Sequence, residues 1–152
     1  MADGIDWKWF GSMNPAGWFK KQILEGTAIG EAIDKIPLDG PVSKEMFNDF
    51  CDVFYKICGD NPLATATRLL AIKRPDVFVC IDSKNKQNLC RALNINEKEL
   101  TLRNYWNVLH KRIINSEWYL DNRRVSGLEL DAKCNQVALL DCFFYDYVSE
   151  ED

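Results

Sequence analysis

The run between Ser43 and Gly59 constrains the fold of this chain more than any other part of its sequence. Its apolar side chains recur at spacings of three and four residues, which is the period of one face of an α-helix; they are Met46, Phe47, Phe50, Cys51, Phe54, Ile57 and Cys58. Ser43 is a favoured N-cap residue, and glycine is a favoured residue just past a helix C-terminus. The run therefore predicts an amphipathic helix whose wide aromatic face requires other elements packed against it.

Proline, glycine and asparagine divide the rest of the chain into further helical segments. Helices are predicted over residues 15–25, 28–36, 63–73, 84–93, the segment after Asn96, and 129–147. The β-rich run "VFVCI" has no partner run, so it is predicted to be an extended connector. The sequence thus predicts a single all-α domain over residues 1–152, a compact bundle of about seven helices.

The chemical class of the protein is limited by what the sequence lacks. No apolar run approaches the roughly 20 residues of a membrane helix, and "MADGIDWKWF" has no apolar signal core, so a cytoplasmic protein without membrane contact is expected. The six cysteines form no C-x-x-C pair, and His110 is the only histidine. Buried, reduced thiols are therefore expected, with no metal and no cofactor, and His110 is expected at the surface or at a helix cap.

The net charge of −4 hides an uneven distribution of charges. Residues 61–112 carry ten Lys/Arg against four Asp/Glu, while the segments on both sides are acidic. Such a segment is typical of a protein with an anionic partner, but it also fits an ordinary solvated face whose charges pair with the flanks. The candidate DNA contacts are Lys73, Arg74, Lys84, Lys86, Arg91, Arg103 and Lys111. No stacking motif interleaves these cations, which favours contact with duplex DNA over single-strand binding.

Asp82 follows the apolar run directly and precedes the next predicted helix. It has two readings from the sequence: an N-cap whose carboxylate accepts backbone N–H groups, or a catalytic carboxylate that faces DNA. The order "ATATRLLA", "KRPDVFVCID" and a following helix resembles the helix-hairpin-helix DNA glycosylase superfamily over residues 58–93. In that resemblance "CGDNPLATA" falls at the hairpin and Asp82 at the catalytic aspartate.

The resemblance implies a helix-hairpin-helix glycosylase-like fold with DNA as the partner. Only Gly59 remains of the hairpin glycines, and "LATATRLLA" has no lysine nucleophile, so lyase chemistry is not expected. The first hypothesis is a DNA-binding domain that contacts the phosphate backbone without catalysis. One alternative is a protein-interaction or inhibitor subunit of a bacterial DNA-processing or defence assembly, which uses the aromatic "WKWFGSMNPAGWF" or the acidic ends. The other is a monofunctional base-excision glycosylase that uses Asp82.

Overall fold

The computed structural model describes residues 27–59 and 62–146, and within these ranges the chain is helical without a β-strand. Eight α-helices lie in this part of the chain: α1 Thr27–Ile33, α2 Lys44–Cys58, α3 Leu63–Lys73, α4 Lys86–Ala92, α5 Lys111–Ile114, α6 Glu117–Leu120, α7 Leu128–Cys134 and α8 Gln136–Phe144. A π-helical turn, Trp106–His110, continues directly into α5. The all-α prediction is confirmed. The predicted helix over 15–25, residues 60 and 61 of the hairpin, and the acidic tail after residue 146 lie outside the described residues.

Helix α2 forms as its sequence predicts. The Ser43 Oγ accepts a hydrogen bond from the Met46 N–H at 3.2 Å, which satisfies one of the donors that a helix start leaves open. Gly59 ends the helix at φ 66°, a left-handed conformation that glycine adopts without strain. The buried face consists of Phe47, Phe50, Cys51 and Phe54. Around it lies one hydrophobic core that includes residues as distant in sequence as Ala32 and Val137.

The extended connector, residues 78–81, is buried beneath α3 and the π-helical turn, so its backbone groups need partners within the protein. Three side chains supply partners, and one of them, Asn85, donates from Nδ2 to the Cys80 carbonyl at 2.7 Å. The Val79 N–H donates to the Tyr105 hydroxyl at 2.9 Å, and the Ile81 N–H donates to the Thr67 hydroxyl at 2.9 Å. The Tyr105 hydroxyl in turn donates to the Val79 carbonyl at 3.3 Å. The connector therefore stays extended in the core without a neighbouring strand.

Four predicted helices differ from the structure at their ends. The helix predicted over 28–36 spans Thr27–Ile33. The helix predicted over 84–93 spans only Lys86–Ala92, and that expected after Asn96 is replaced by turns as far as Tyr105. In those turns Asn96 Oδ1 accepts from the Lys98 N–H, and Thr101 Oγ1 accepts from the Asn104 N–H. Such local side-chain bonds compete with helix formation. The helix predicted over 129–147 is divided at Asn135 into α7 and α8.

The expectation that all the cysteines are buried is wrong for three of them, because Cys58 is half-buried and Cys134 and Cys142 are exposed. All six are free thiols, and Cys51, Cys80 and Cys90 are buried. Burial raises the pKa of the Cys51 thiol to about 12, so this group stays protonated and acts as a small apolar residue. No helix in residues 27–59 or 62–146 has both the length and the apolar character needed to cross a membrane.

Candidate nucleic-acid interface

Asp82 lies where the connector meets α4, and its carboxylate is engaged with neighbouring groups. Oδ1 accepts from the Lys84 N–H at 2.8 Å and from the Asn85 N–H at 3.3 Å, while Oδ2 lies 3.4 Å from the Arg68 guanidinium. The Lys86 N–H donates to the Asp82 carbonyl at 3.1 Å, which is the first helical bond of this turn. Asp82 thus caps the turn of residues 83–85 that leads into α4, while the N-cap residue of α4 itself is Asn85, which makes no side-chain capping hydrogen bond. The Asp82 side chain is 15% exposed, so little of it faces solvent.

Asn85 connects Asp82 to a second carboxylate that the sequence analysis missed. The Asn85 Oδ1 accepts from the Asp82 N–H at 3.0 Å, and its Nδ2 donates both to the Cys80 carbonyl at 2.7 Å and to Asp141 Oδ1. Burial raises the pKa of Asp141; the Asn85 hydrogen bond lowers it, and the charge of Asp82 raises it further. This polar network fixes the start of α4 against α8.

Lys73 and Arg74, two of the predicted DNA contacts, bind groups of the protein itself. The Lys73 Nζ donates to the Ile33 carbonyl at 2.8 Å. The Arg74 guanidinium donates to the Pro37 and Gly40 carbonyls at 3.1 and 2.9 Å and forms a two-pronged pair with Asp76. The Arg74 side chain is only 7% exposed. Both cations therefore hold the loop after α1, and neither is presented to a phosphate.

The pairing of Arg74 with Asp76 is also visible in the protonation of the two groups. The hydrogen bonds from Arg74 lower the pKa of Asp76, and those bonds to Asp76 raise the pKa of Arg74. Each group thus stabilises the charged form of the other, as expected of a bidentate pair.

The other predicted contacts are not gathered on one surface element. Lys84 lies in the turn before α4 and is exposed. Lys86 begins α4 and is half-buried, and Arg91 lies near its end and is exposed. Arg103 is exposed beside α2, where its guanidinium lies 4.4 Å from the centre of the Tyr55 ring and 3.4 Å from an Asp52 oxygen. Lys111 begins α5 and is exposed.

Lys111 lies in a cleft between the end of α4 and the π-helical turn with α5. We call it the basic cleft; its volume is about 580 Å³, and it is lined by Ala92, Leu93, Asn94, Asn107, Lys111, Arg112 and Asn115. Among these lining residues there are two cations, three carboxamides, no acid and no aromatic ring. Lysine and arginine bind phosphate oxygens, and carboxamides donate N–H groups to them. Arg112, Asn94, Asn107 and Asn115 were not singled out from the sequence.

The π-helical turn that forms one wall of the basic cleft is defined by its hydrogen bond. The Lys111 N–H donates to the Trp106 carbonyl, five residues earlier in the chain. His110 lies on the buried side of the turn, where its ring is 4.0 Å from the ring of Trp106, four residues earlier, centre to centre. His110 is 8% exposed, so the expectation of a surface or capping histidine is wrong. Burial lowers the pKa of His110, which keeps the ring neutral near pH 7.

A second concave surface lies on the acidic C-terminal part of the chain. This apolar groove, of about 520 Å³, is formed around α6, α7 and α8 by side chains that include Trp118, Val125, Leu139, Leu140 and Phe143. Phe143 is 81% exposed, and Leu128 nearby in sequence is 87% exposed. Large apolar side chains at such exposure are typical of a surface that another molecule covers.

In comparisons with known proteins, the chain matches no family model, no curated protein and no solved structure. Within the described ranges, no three His, Cys, Asp or Glu side chains are grouped in a way that would hold a metal ion. Function must therefore be inferred from the geometry of the basic cleft, of the polar network formed by Asp82, Asn85 and Asp141, and of the apolar groove.

Proposed function

We propose that this protein is a DNA-binding helical domain that contacts the phosphate backbone of duplex DNA through the basic cleft. The observation that carries the proposal is the composition of the cleft: Lys111 and Arg112 with three asparagines and no acid in the lining. A concave surface with this lining attracts a polyanion and donates hydrogen bonds to it. Arg91 is exposed and directly precedes Ala92, the first lining residue in the sequence, so it extends the positive surface.

Duplex DNA is favoured over single strands by the absence of aromatic side chains from the cleft lining. Proteins that hold single strands stack bases on aromatic rings, whereas contacts to a duplex backbone need only cations and hydrogen-bond donors. The asparagines donate to phosphate oxygens at this surface, so binding with little base preference is expected. A helix-hairpin-helix glycosylase relationship remains part of this proposal, with DNA binding retained and catalysis absent.

The role of Asp82 in the proposal is structural. Its Oδ1 accepts two backbone N–H groups and its Oδ2 pairs with Arg68, so the carboxylate is occupied before any substrate arrives. A carboxylate that stabilises positive charge on the sugar, or orients water, while the base departs must face the nucleotide instead. Base release by Asp82 is therefore not part of the proposed function.

The test is a titration of fluorescent duplex DNA by anisotropy at about 50 and 200 mM salt. Wild-type protein is expected to bind with an affinity that falls steeply between these salts, because phosphate neutralisation releases counterions. The K111A/R112A variant is expected to lose at least about tenfold in affinity at the lower salt, which corresponds to roughly 1.4 kcal/mol. A flat wild-type response at the lower salt would refute the proposal.

The matched control is R123A/R124A, which removes an equal charge from two other consecutive exposed cations. These arginines lie on the loop before α7, away from the lining of the basic cleft. The control is expected to bind DNA within about twofold of wild type, a difference of about 0.4 kcal/mol. Equal losses in both double variants would mean that net charge, and not the cleft, governs binding.

The apolar groove favours a second candidate function, a protein-interaction module. Seven of its twelve lining residues are apolar and four are charged, and the described residues 113–146 around it carry six Asp/Glu against three Lys/Arg. That combination suits an amphipathic helix with a basic polar face, which would lay its apolar side into the groove. A Leu/Lys amphipathic model peptide is the probe, and isothermal titration should show binding that F143S abolishes and K111A/R112A leaves unchanged. Absence of binding to wild type would refute this candidate.

A further inference from the structure

The basic cleft contains two consecutive cations, Lys111 and Arg112, that both contribute to its lining. In an α-helix, consecutive side chains point about 100° apart, so neighbours in sequence do not face one another. On such a helix the residues beside Asn107 would be those three and four positions later, namely His110 and Lys111, and Arg112 would lie on another face. The structure departs from this pattern.

The π-helical turn explains the departure. Because the Lys111 N–H bonds to the carbonyl five residues earlier, the turn holds more residues than an α-helical turn. This brings the side chain five positions after Asn107 toward the face that Asn107 occupies. Arg112 thereby joins Lys111 and Asn107 in the cleft. His110 lies on the opposite, buried side against Trp106, four residues earlier, as it would on a regular α-helix.

The neighbouring contacts hold this arrangement in place. The Asn115 Nδ2 donates to the Lys111 carbonyl at 2.6 Å, which fixes the turn from its C-terminal side. On the opposite wall, Asn94 ends the turn after α4 at φ 52°, an uncommon backbone conformation for a residue other than glycine. π-helical turns occur frequently at functional sites, where their irregular geometry presents side chains that a regular helix would separate.

We propose that the π-helical turn makes Lys111 and Arg112 a clamp for one phosphate group, with Asn107 as a third donor. The inference rests on the proposed function and deepens it, because it assigns both cations to a single phosphate and not to two successive ones. Arg112 supplies the planar fork that binds two phosphate oxygens, and Lys111 supplies a point charge beside it. The phosphate is either an internal phosphodiester of the duplex or a 5′-terminal phosphate.

The experiment is a double-mutant cycle of K111A, R112A and K111A/R112A, with duplex affinity measured across a series of salt concentrations. If both side chains bind one phosphate, the double variant should lower the salt slope by about 0.9, the contribution of a single phosphate. The affinity losses of the single variants should then be non-additive. A fall in slope of about 1.8 with additive losses would place the cations on separate phosphates and overturn the clamp, while DNA binding itself would stand.

Duplexes with 5′-hydroxyl and with 5′-phosphate ends distinguish the two sources of the phosphate. Equal affinity for both assigns the clamp to internal phosphodiesters, and tighter binding of the phosphorylated ends assigns it to termini. A second readout is independent of DNA: titration with inorganic phosphate, followed by the amide NMR shifts of Asn107 and Arg112. Shifts of both amides with one dissociation constant support the clamp even if duplex binding fails, and no shift in either overturns it.

Discussion

The chain contains the dipeptide Lys-Arg twice, and its two copies have opposite environments. Lys73 and Arg74 lie at the end of α3, where their charged groups bond to carbonyls at the end of α1 and in the loop after it, and Arg74 also pairs with the Asp76 carboxylate. Lys111 and Arg112 follow the π-helical turn, are both exposed, and line the basic cleft. The same two residues therefore serve stability in one place and are available to a ligand in the other. The cations of a positive segment are therefore only candidates for a binding surface. The fold determines which of them are exposed to a ligand.

The largest expected effect in this comparison is the loss of stability in R74A. The substitution removes four hydrogen bonds and leaves two carbonyls without their donor, so the free energy of unfolding should fall by about 3 kcal/mol. R112A, its counterpart in the basic cleft, should change it by less than about 0.5 kcal/mol because its side chain is exposed. Urea denaturation of both variants measures the difference. Similar losses of unfolding free energy in R74A and R112A would contradict the prediction that only the first Lys-Arg pair stabilises the fold.

A buried neutral side chain that hydrogen-bonds within the protein should also contribute to stability. T67V keeps the shape of the side chain but leaves the Ile81 N–H without its acceptor, which should cost about 2 kcal/mol. T65V, on the same helix but at a less buried position, is the control and should cost less than about 0.5 kcal/mol. Thermal and urea unfolding report both values. A loss in T65V as large as that in T67V would mean that helix propensity, not the connector, is responsible.

A smaller effect is expected from Asp82. D82A removes the acceptor that caps the turn before α4 and a partner of Arg68, so the free energy of unfolding should fall by about 1 kcal/mol. D82N keeps an oxygen acceptor for the backbone and should lose less, and S83A, which changes an exposed neighbour, should lose almost nothing. Duplex affinity should be unchanged in all three variants. If D82N lost DNA binding but kept normal stability, Asp82 would have to be assigned to the DNA interface and not only to the polar network.

The smallest expected effect belongs to Asp141, and its sign depends on pH. The raised pKa means that the folded state disfavours the ionised carboxylate, so ionisation of Asp141 weakens the fold as pH rises. D141N keeps an acceptor for the Asn85 amide without the charge, and should gain on the order of 0.5 kcal/mol at pH 7 after allowance for solvent screening. The gain should vanish below about pH 3.9, where the unfolded carboxyl is also protonated. Denaturation of wild type and D141N across this pH range tests the prediction, which a pH-independent difference would contradict.

Local sequence signals were sufficient for α2 and α3. The ends of α2 follow from Ser43 and Gly59, and the extended connector was predicted correctly because the sequence offers no partner strand. Asp141 was missed because its contact with Asn85 joins residues 56 positions apart, which no local pattern encodes. The basic cleft was missed for another reason: a template with 3.6 residues per turn cannot locate a wider turn, and it puts Arg112 on a different face from Asn107.

A signal for the cleft was nevertheless present. "NVLHKRIIN", residues 107–115, contains two cations and two asparagines without an acid, in a segment whose apolar residues Leu109 and Ile113 are both fully buried. A polar face of that composition is more specific than the total charge of residues 61–112. Reading the polar side of each helix separately, and not the charge of the whole segment, would have brought Arg112 into the set of candidates.

The buried connector also bears on how the core unfolds and exposes its amides to solvent. The amides of Val79 and Ile81 bond to side chains from α3 and from the segment before the π-helical turn, 14 and 26 residues away in sequence. Neither amide is released by fraying of a single helix, so both should exchange with solvent deuterium only when α3 and Tyr105 separate together. Hydrogen exchange at these two positions would thus report the cooperative unfolding of the core, while exchange near the basic cleft would report local motion that leaves the core closed.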